Sequence, residues 1–273
     1  MPSERPVDAW SNGDAYEAYV GRWSRRVAHD FLAWLAPTGR LRWLDVGAGT
    51  GALSAVIVDA VDPHEVVGVD ASGDYVDDAR RRVDDPRARF DQGDACALPY
   101  DARFDAVVSG LVLNFVRDAA AALGGMTRAA APGGLVAAYV WDYAGRMDLM
   151  RHFWEAAATV DAPARELDEG IRFPLCDPDR LAALWRAAGL HAVETTALEV
   201  VTAFRDFDAY WSPFLGGQGP APAYLMSLPG PQRGAIRDAV RSSLPVARDG
   251  SITMVARAWA VQGRRPATDP NAS

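Results

Sequence analysis

The sequence predicts a doubly wound α/β fold built on a mostly parallel sheet. Three observations predict it. Short continuous apolar runs alternate with helical patterns between residues 41 and 143. A glycine-rich turn, "GAGTG", follows the first of those runs. Carboxylates stand at the ends of the first three runs: Asp45, Asp70 and Asp94. Apolar strands alternating with helices imply a parallel sheet covered on both faces. Ligands of such sheets bind beyond the carboxyl ends of the strands.

The elements follow in order. Residues 1–12 are polar and read as a flexible lead. From Asp14 to Leu35, Tyr16, Tyr19, Val20, Trp23, Val27, Phe31 and Trp34 recur at helical spacing. Pro37 and Gly39 stop that helix, and residues 13–38 form a helical cover. "LRWLDVG" reads as the first strand and Thr50 to Val61 as a helix. "EVVGVDA" is the second strand and "DYVDDARRRV" the next helix. "ARFDQGDA" is a weaker third strand, and "FDAVVSGLVL" a fourth. "VRDAAAALGGMTRAA" is helical. Pro132, Gly133 and Gly134 then turn the chain into "LVAAYVWDY", a fifth strand.

Beyond that core of 39–145, Asp148 to Val160 reads as a helix, and "DPDRLAALWRAAGL" as an amphipathic helix with an Asp start and a Gly stop. "HAVETTALEVVTAF" reads as a strand. Residues 206–231 are rich in Gly, Pro and aromatic side chains. They are expected to form an inserted cap, a lid whose apolar wall is Trp211, Phe214 and Tyr224. The plainer reading of those rings is packing. "SITMVARAWAVQG" is a last strand, and 264–273 a disordered tail. The whole of 13–263 is expected to be a single domain.

Composition narrows the chemistry. The chain has 273 residues, 49% of them apolar, enough to bury a full core. Its net charge of −8 argues against a broad nucleic-acid surface. All 28 basic residues are Arg, which excludes a Schiff-base lysine and a Walker-type phosphate loop. The two cysteines, Cys96 and Cys176, have no metal-ligand spacing, so no metal site is expected. No run approaches the ~20 apolar residues of a membrane span, and no apolar signal core opens the chain. A soluble, cytoplasmic protein with a small-molecule partner is expected.

The glycine turn alone fits two ligands. Gly47, Gly49 and Ala52 satisfy a dinucleotide fingerprint. Gly47, Gly49 and Gly51 describe a turn that need hold no phosphate. Asp70 suits ribose hydroxyls in either case. Asp94, able to accept from an adenine amino group, is not required by a dinucleotide. Asp45 on the turn would repel a pyrophosphate and favour a cationic amino-acid group. The plain alternatives are strand-end capping for Asp70 and Asp94 and helix N-terminal pairing for Asp45.

Five ordered blocks, "LDVGAGTG", "VDAS", "GDACALP", "FDAVVSGLVLNF" and "APGG", resemble the class I S-adenosylmethionine-dependent methyltransferases. The likeness runs from Gly39 to Tyr143 and is greatest to the small-molecule, quinone-biosynthesis-like (type 11) group. It implies a Rossmann-like sheet with an antiparallel last strand and S-adenosyl-L-methionine as cofactor. By position it places Gly47, Ala48 and Gly49 against the methionine part of that cofactor. Gly51 allows close helix packing. Asp70 takes the ribose with Ala71 beside the adenine, and Asp94 takes the adenine amino group with Ala95 and Cys96 adjacent. Leu111 approaches the cofactor's backbone. Tyr16, Arg22 and Trp23 close over it, although Tyr16 and Trp23 also share a core face with Phe31 and Trp34, and core is the plainer reading of both. The implied reaction is in-line methyl transfer to an oxygen, nitrogen or carbon of a small apolar acceptor. For a base, His152, Tyr143 and Asp142 are the candidates. Many relatives carry a histidine after the fourth strand, where this chain has Asn114. The [ND]-P-P-[YF] box of amine-methylating nucleic-acid enzymes is absent. An NAD-dependent oxidoreductase and a non-catalytic cofactor binder are the alternatives.

Overall fold

A computed structural model describes residues 21–217 and 219–267. Tyr16, the lead at 1–12 and the tail at 268–273 lie outside the described residues, as does the side chain of Arg22. The fold comprises two compact units. One, the sheet unit, holds 24–140, 177–198 and 258–267; the second holds 21–23, 141–176 and 199–257.

In the sheet unit, α1 (Arg22–Leu35) precedes β1 (Arg42–Val46), α2 (Ala52–Val61), β2 (Glu65–Asp70), α3 (Gly73–Arg82) and β3 (Ala88–Gln92). Then come β4 (Phe104–Gly110), α4 (Ala119–Ala129) and β5 (Ala130–Trp141). α7 (Pro178–Ala187), β6 (His191–Phe204) and β7 (Ile252–Arg264) complete the list, with β6 and β7 running on into the second unit. The sheet order is β3-β2-β1-β4-β5-β7-β6. β1 pairs in parallel with both β2 and β4, so the order reverses beside β1. That reversal opens a crevice at the end of β1, where ligands of doubly wound sheets bind. Apolar strands hold the layer: Trp43, Leu44, Val46, Val66, Val67, Val107 and Val108 are buried. Arg42 clamps the start of β1 to β4 through Asp105, at 2.9 Å and 3.1 Å. Helices α2 and α3 pack on β2, and α4 on β4.

Two expectations need correction. Pro132, Gly133 and Gly134 lie inside β5, not in a turn before it. The pairing of β4 with β5 slips there: Phe104 faces Ala130, yet Ala106 faces Leu135. The extra residues bulge out, helped by Gly133 at φ +76°. Nor does the tail begin at Arg264. The Arg265 N–H donates to the Gly134 carbonyl at 2.9 Å, and the Arg265 carbonyl accepts from Gly133 at 3.0 Å. These bonds run β7 antiparallel to β5, as expected of the last strand. β6 runs against β7 in turn.

The second unit contains α5 (Asp148–Val160), α6 (Glu169–Arg172), α8 (Phe207–Trp211), α9 (Pro220–Ser227) and α10 (Gly230–Ser243), with 3₁₀ turns between them. The segment 206–231 is thus one part of a larger body that includes α5 and α10, which pack together. Its anchor is Asp142, 2% exposed. That carboxylate accepts from Arg257 Nε at 2.7 Å, from the Gly145 N–H at 2.8 Å and from the Arg146 N–H at 3.2 Å. Among the described residues, no helix is long and apolar enough to cross a membrane.

Removing the cation from that anchor strands a buried charge. Arg257→Met is expected to lower unfolding free energy by about 3 kcal/mol. Asp142→Asn in the same chain should recover part of the loss. Urea denaturation measures both, and a loss below about 0.5 kcal/mol would show the pair to be an ordinary surface contact.

Candidate functional site

The glycine turn is held by the strand beside it. After Val46 the chain folds across the end of β2, and the Gly47 and Ala48 N–H groups both donate to the Val69 carbonyl, at 2.7 and 3.0 Å. Gly47, Gly49 and Gly51 have φ of +75°, +54° and +85°, a region costly for any side chain. Their surroundings differ. A Cβ at Gly47 would stand 2.5 Å from the Val112 side chain, and one at Gly51 2.9 Å from Val83 on the α3 side. At Gly49 nothing lies within 4 Å, so bare backbone faces open space there. Gly51 caps α2 and permits its close approach to α3.

The three carboxylates occupy three different settings. Asp70 accepts from the Gly49 N–H through Oδ2 and from the Ser72 N–H through Oδ1, each at 2.9 Å. Burial pushes its carboxyl up, against those backbone bonds. Asp94 is exposed, and its Oδ1 accepts from the Cys96 N–H at 2.8 Å, capping the turn Ala95–Ala97. Both acids therefore make the strand-end caps that the plain reading foresaw. Each keeps acceptor capacity, since a carboxylate offers about four lone-pair sites. Asp45 is different. It is 1% exposed, its Oδ2 accepts from Ser54 Oγ at 2.7 Å, and its Oδ1 has no partner. Burial pushes its carboxyl up to about 7, and the nearby Asp70 charge pushes the same way.

The turn's donors decide which ligand it suits. Gly47 and Ala48 spend their N–H groups on Val69, Gly49 on Asp70, and Gly51 on the Ala48 carbonyl at 2.9 Å. A pyrophosphate needs such donors free and no carboxylate beneath it. A ligand bearing an ammonium group needs the reverse, an acceptor like Asp45 Oδ1. The donor set thus fits an amino-acid cation. Leu111 adds a strain signal: it follows β4 at φ +64°, pinned by its N–H to the Tyr139 carbonyl at 2.8 Å.

Several expected residues are engaged within the second unit. Asp142 has its lone pairs taken by Arg257, Gly145 and Arg146, so it is an anchor and not a free base. Tyr143 is 4% exposed, with its ring edge-on to Phe173 at 5.7 Å. His152 pairs through Nδ1 with Ser243 Oγ at 3.3 Å. Trp23 is buried edge-on to Phe204 at 5.3 Å, in its core role. The lid aromatics also turn inward. Phe214 stacks on Phe153 at 4.7 Å, Trp211 lies 5.8 Å from Phe214, and Tyr224 lies 5.5 Å from Trp154 with its hydroxyl donated to Asp161. Rings of that size gain most by burying one another. In this structure they form a core, not an open wall. Sequence reasoning missed Ser54, which supports Asp45, and Val112, which wedges against Gly47. Their spacing gives no local signal, because both contacts arise from the fold.

Comparison with known proteins completes the assignment. A methyltransferase-domain family profile matches residues 44–134. A demethylmenaquinone methyltransferase of Roseiflexus castenholzii is 38% identical over 107 residues, covering 39% of this chain and 45% of that protein. One from Deinococcus radiodurans is 31% identical over 182 residues, covering 61% of this chain and 73% of the relative. The chain belongs to the class I S-adenosylmethionine-dependent methyltransferases. Among solved structures, the methyltransferase fold recurs in Haemonchus contortus phosphoethanolamine N-methyltransferase 2 in complex with S-adenosyl-L-methionine. Its TM-score is 0.59 at 16% identity, covering 93% of this chain and 57% of that one. That likeness is one of fold. The chain spans about half the length of the first curated relatives it matches, 45% and 51% for two of them. Nothing in the comparisons supports the NAD-dependent oxidoreductase alternative.

In this chain Asp45 opposes folding. Its folded carboxyl holds a proton up to about pH 7, whereas an ordinary one releases it near 3.8. The folded state therefore binds more protons in that window, and stability falls as pH rises from about 4 to 7. Asp45→Asn keeps the acceptor for Ser54 and removes the charge. It is expected to stabilise the ligand-free protein by about 2–4 kcal/mol at pH 8 and by nearly nothing at pH 4. Chemical denaturation at the two pH values checks this, and an equal effect at both would refute it.

Proposed function

We propose that this chain transfers a methyl group from S-adenosylmethionine to a small, largely apolar acceptor. The observation that carries the reading is the pairing of a spent glycine turn with Asp45 Oδ1, a buried acceptor lacking any partner. Asp45 would take the ammonium group of the cofactor, and Gly47, Ala48 and Gly49 would lie along its amino-acid part. The open backbone at Gly49 leaves room for that approach. Asp70, already fixed by Gly49 and Ser72, would accept from the ribose hydroxyls, with Ala71 beside the base. Asp94 would accept from the adenine amino group through its second oxygen, flanked by Ala95 and Cys96. Leu111 would press on the cofactor from the end of β4.

S-adenosylmethionine supplies a methyl group activated by its own sulfonium charge. The residues of the chain then bind, align and exclude water. An acceptor oxygen that ionises readily, as in a phenol or enol, demands least of them, and the engagement of Asp142 with Arg257 supports that choice. The net charge of −8 supports a small molecule over a nucleic acid. The demethylmenaquinone methyltransferases among the relatives support an apolar, oxygen-bearing acceptor.

Calorimetry tests the reading. S-adenosylhomocysteine is expected to bind and NAD not to bind; the opposite result would sink the proposal. Affinity should also rise about tenfold from pH 6 to pH 8, because the ligand's ammonium requires ionised Asp45 and that group titrates near 7. In Asp45→Asn the pH dependence should vanish.

Gly49→Ala places a methyl group where no protein atom stands within 4 Å. It should cost only about 1–2 kcal/mol of stability, from the left-handed backbone. Affinity for S-adenosylhomocysteine should fall by at least about tenfold, since the methyl group fills the space assigned to the ligand. Unchanged affinity would remove Gly49 from the site.

A further inference from the structure

Helix α2 carries one hydroxyl on a face otherwise apolar. Its buried residues are Leu53, Ser54, Val56, Ile57 and Val58, and Ser54 is sealed completely among them. Alanine at 54 would be the better helix former and would bury no polar atom. A buried hydroxyl needs a partner, and Ser54 has one: its Oγ donates to Asp45 Oδ2 at 2.7 Å. The glycine turn lies between the two residues in sequence and brings them together.

Ser54, Asp45, Gly49 and Asp70 all belong to the sheet unit. Asp70, whose charge acts on Asp45, accepts from the Gly49 N–H at 2.9 Å, so both acids stand at the same turn. Among the described residues no cation offsets Asp45. β2 presents Asp70 to it. β4 places Val108 opposite it, and the next hydroxyl along, that of Ser109, is spent on the Val46 carbonyl at 2.8 Å. Among the described residues, Ser54 is therefore the one side chain that donates to Asp45. That bond divides the carboxylate. Oδ2 is taken from the protein side, and Oδ1 is left unpartnered. Without the hydroxyl the two oxygens would be equivalent, and nothing would select the one left for a ligand.

We propose that Ser54 is a positioning residue for cofactor binding: its hydroxyl fixes Asp45 through Oδ2 and so reserves Oδ1 for the ligand's ammonium group, directly or through one water. The inference rests on the methyl-transfer reading above and deepens its cofactor site. Ionisation supports it. Burial pushes the Asp45 carboxyl up to about 7, and the Ser54 hydroxyl pulls it back down. A hydrogen bond to a charged group is stronger than one to a neutral group, so losing the hydroxyl moves ionisation to higher pH. An ammonium group needs the ionised form.

Calorimetric titration of S-adenosylhomocysteine between pH 6 and pH 8 separates this role from a structural one. The chains are wild type, Ser54→Ala, Ser54→Cys, Asp45→Asn and the double variant Asp45→Asn/Ser54→Ala. In Ser54→Ala the ionisation midpoint should rise by about one pH unit, which is about tenfold in the proton equilibrium. Its affinity should fall about tenfold below wild type at pH 6 and stay within about twofold at pH 8. The tenfold rise of wild type across that range should steepen to about fiftyfold. Ser54→Cys nearly keeps the volume and offers a weak donor, so its midpoint should lie between the two. Adding Ser54→Ala to Asp45→Asn should change affinity by less than about twofold at either pH. The proposal is overturned if either single variant of Ser54 titrates as wild type does, or if its affinity falls equally at both pH values. It is also overturned if Ser54→Ala costs as much in the Asp45→Asn background as in wild type. Wild type that fails to bind S-adenosylhomocysteine overturns the methyl-transfer reading and this inference with it. Wild type that binds with its tenfold rise, while Ser54→Ala keeps that same rise, overturns this inference alone.

Discussion

The carboxyl edge of the sheet depends on one carbonyl oxygen, that of Val69, which accepts from both Gly47 and Ala48. These bonds fold the chain back over β2 as soon as β1 ends. Glycine adopts the left-handed angle at position 47 without strain, and only glycine leaves room there for Val112. Once the turn is closed, its donors are consumed, Gly49 is tied to Asp70, and Asp45 is sealed beneath with one oxygen unpaired. The same geometry therefore rejects a pyrophosphate and retains an acceptor for a cation. Ligand choice follows from where the turn's own hydrogen bonds go, more than from the count of glycines.

Carboxylates in this molecule divide by how fully they are paired. Asp142 is surrounded by Arg257 and two backbone N–H groups and serves to anchor the second unit. Asp45 and Glu169 are buried with one oxygen each unpaired, and burial pushes both carboxyls up toward neutrality. The first class stabilises the fold. The second opposes it, because each leaves a buried oxygen unpaired.

Much of this was legible in the sequence, because strands β1, β2 and β4 are set by local apolar runs bounded by charges and glycines. The turn, Asp70 and Asp94 were legible for the same reason: each lies within a few residues of a strand end. What was not legible depends on distant partners. Asp142 reads as a free acid until Arg257, more than a hundred positions later, is brought beside it. "PGG" reads as a turn, yet the register slip against β4 draws it into β5. Trp211, Phe214 and Tyr224 read as the wall of a lid until α5 supplies Phe153 and Trp154 for them to cover. Glu169 passed unnoticed because its burial is created by Trp154, fifteen residues earlier and on another helix.

The most direct measurement of the central claim is a crystal structure with S-adenosylhomocysteine bound. The account predicts the ligand's ammonium nitrogen within hydrogen-bond distance of Asp45 Oδ1, directly or through one water, and its ribose hydroxyls on Asp70. A ligand seated with its ribose away from Asp70, or with Asp45 Oδ1 still unpartnered, would contradict it.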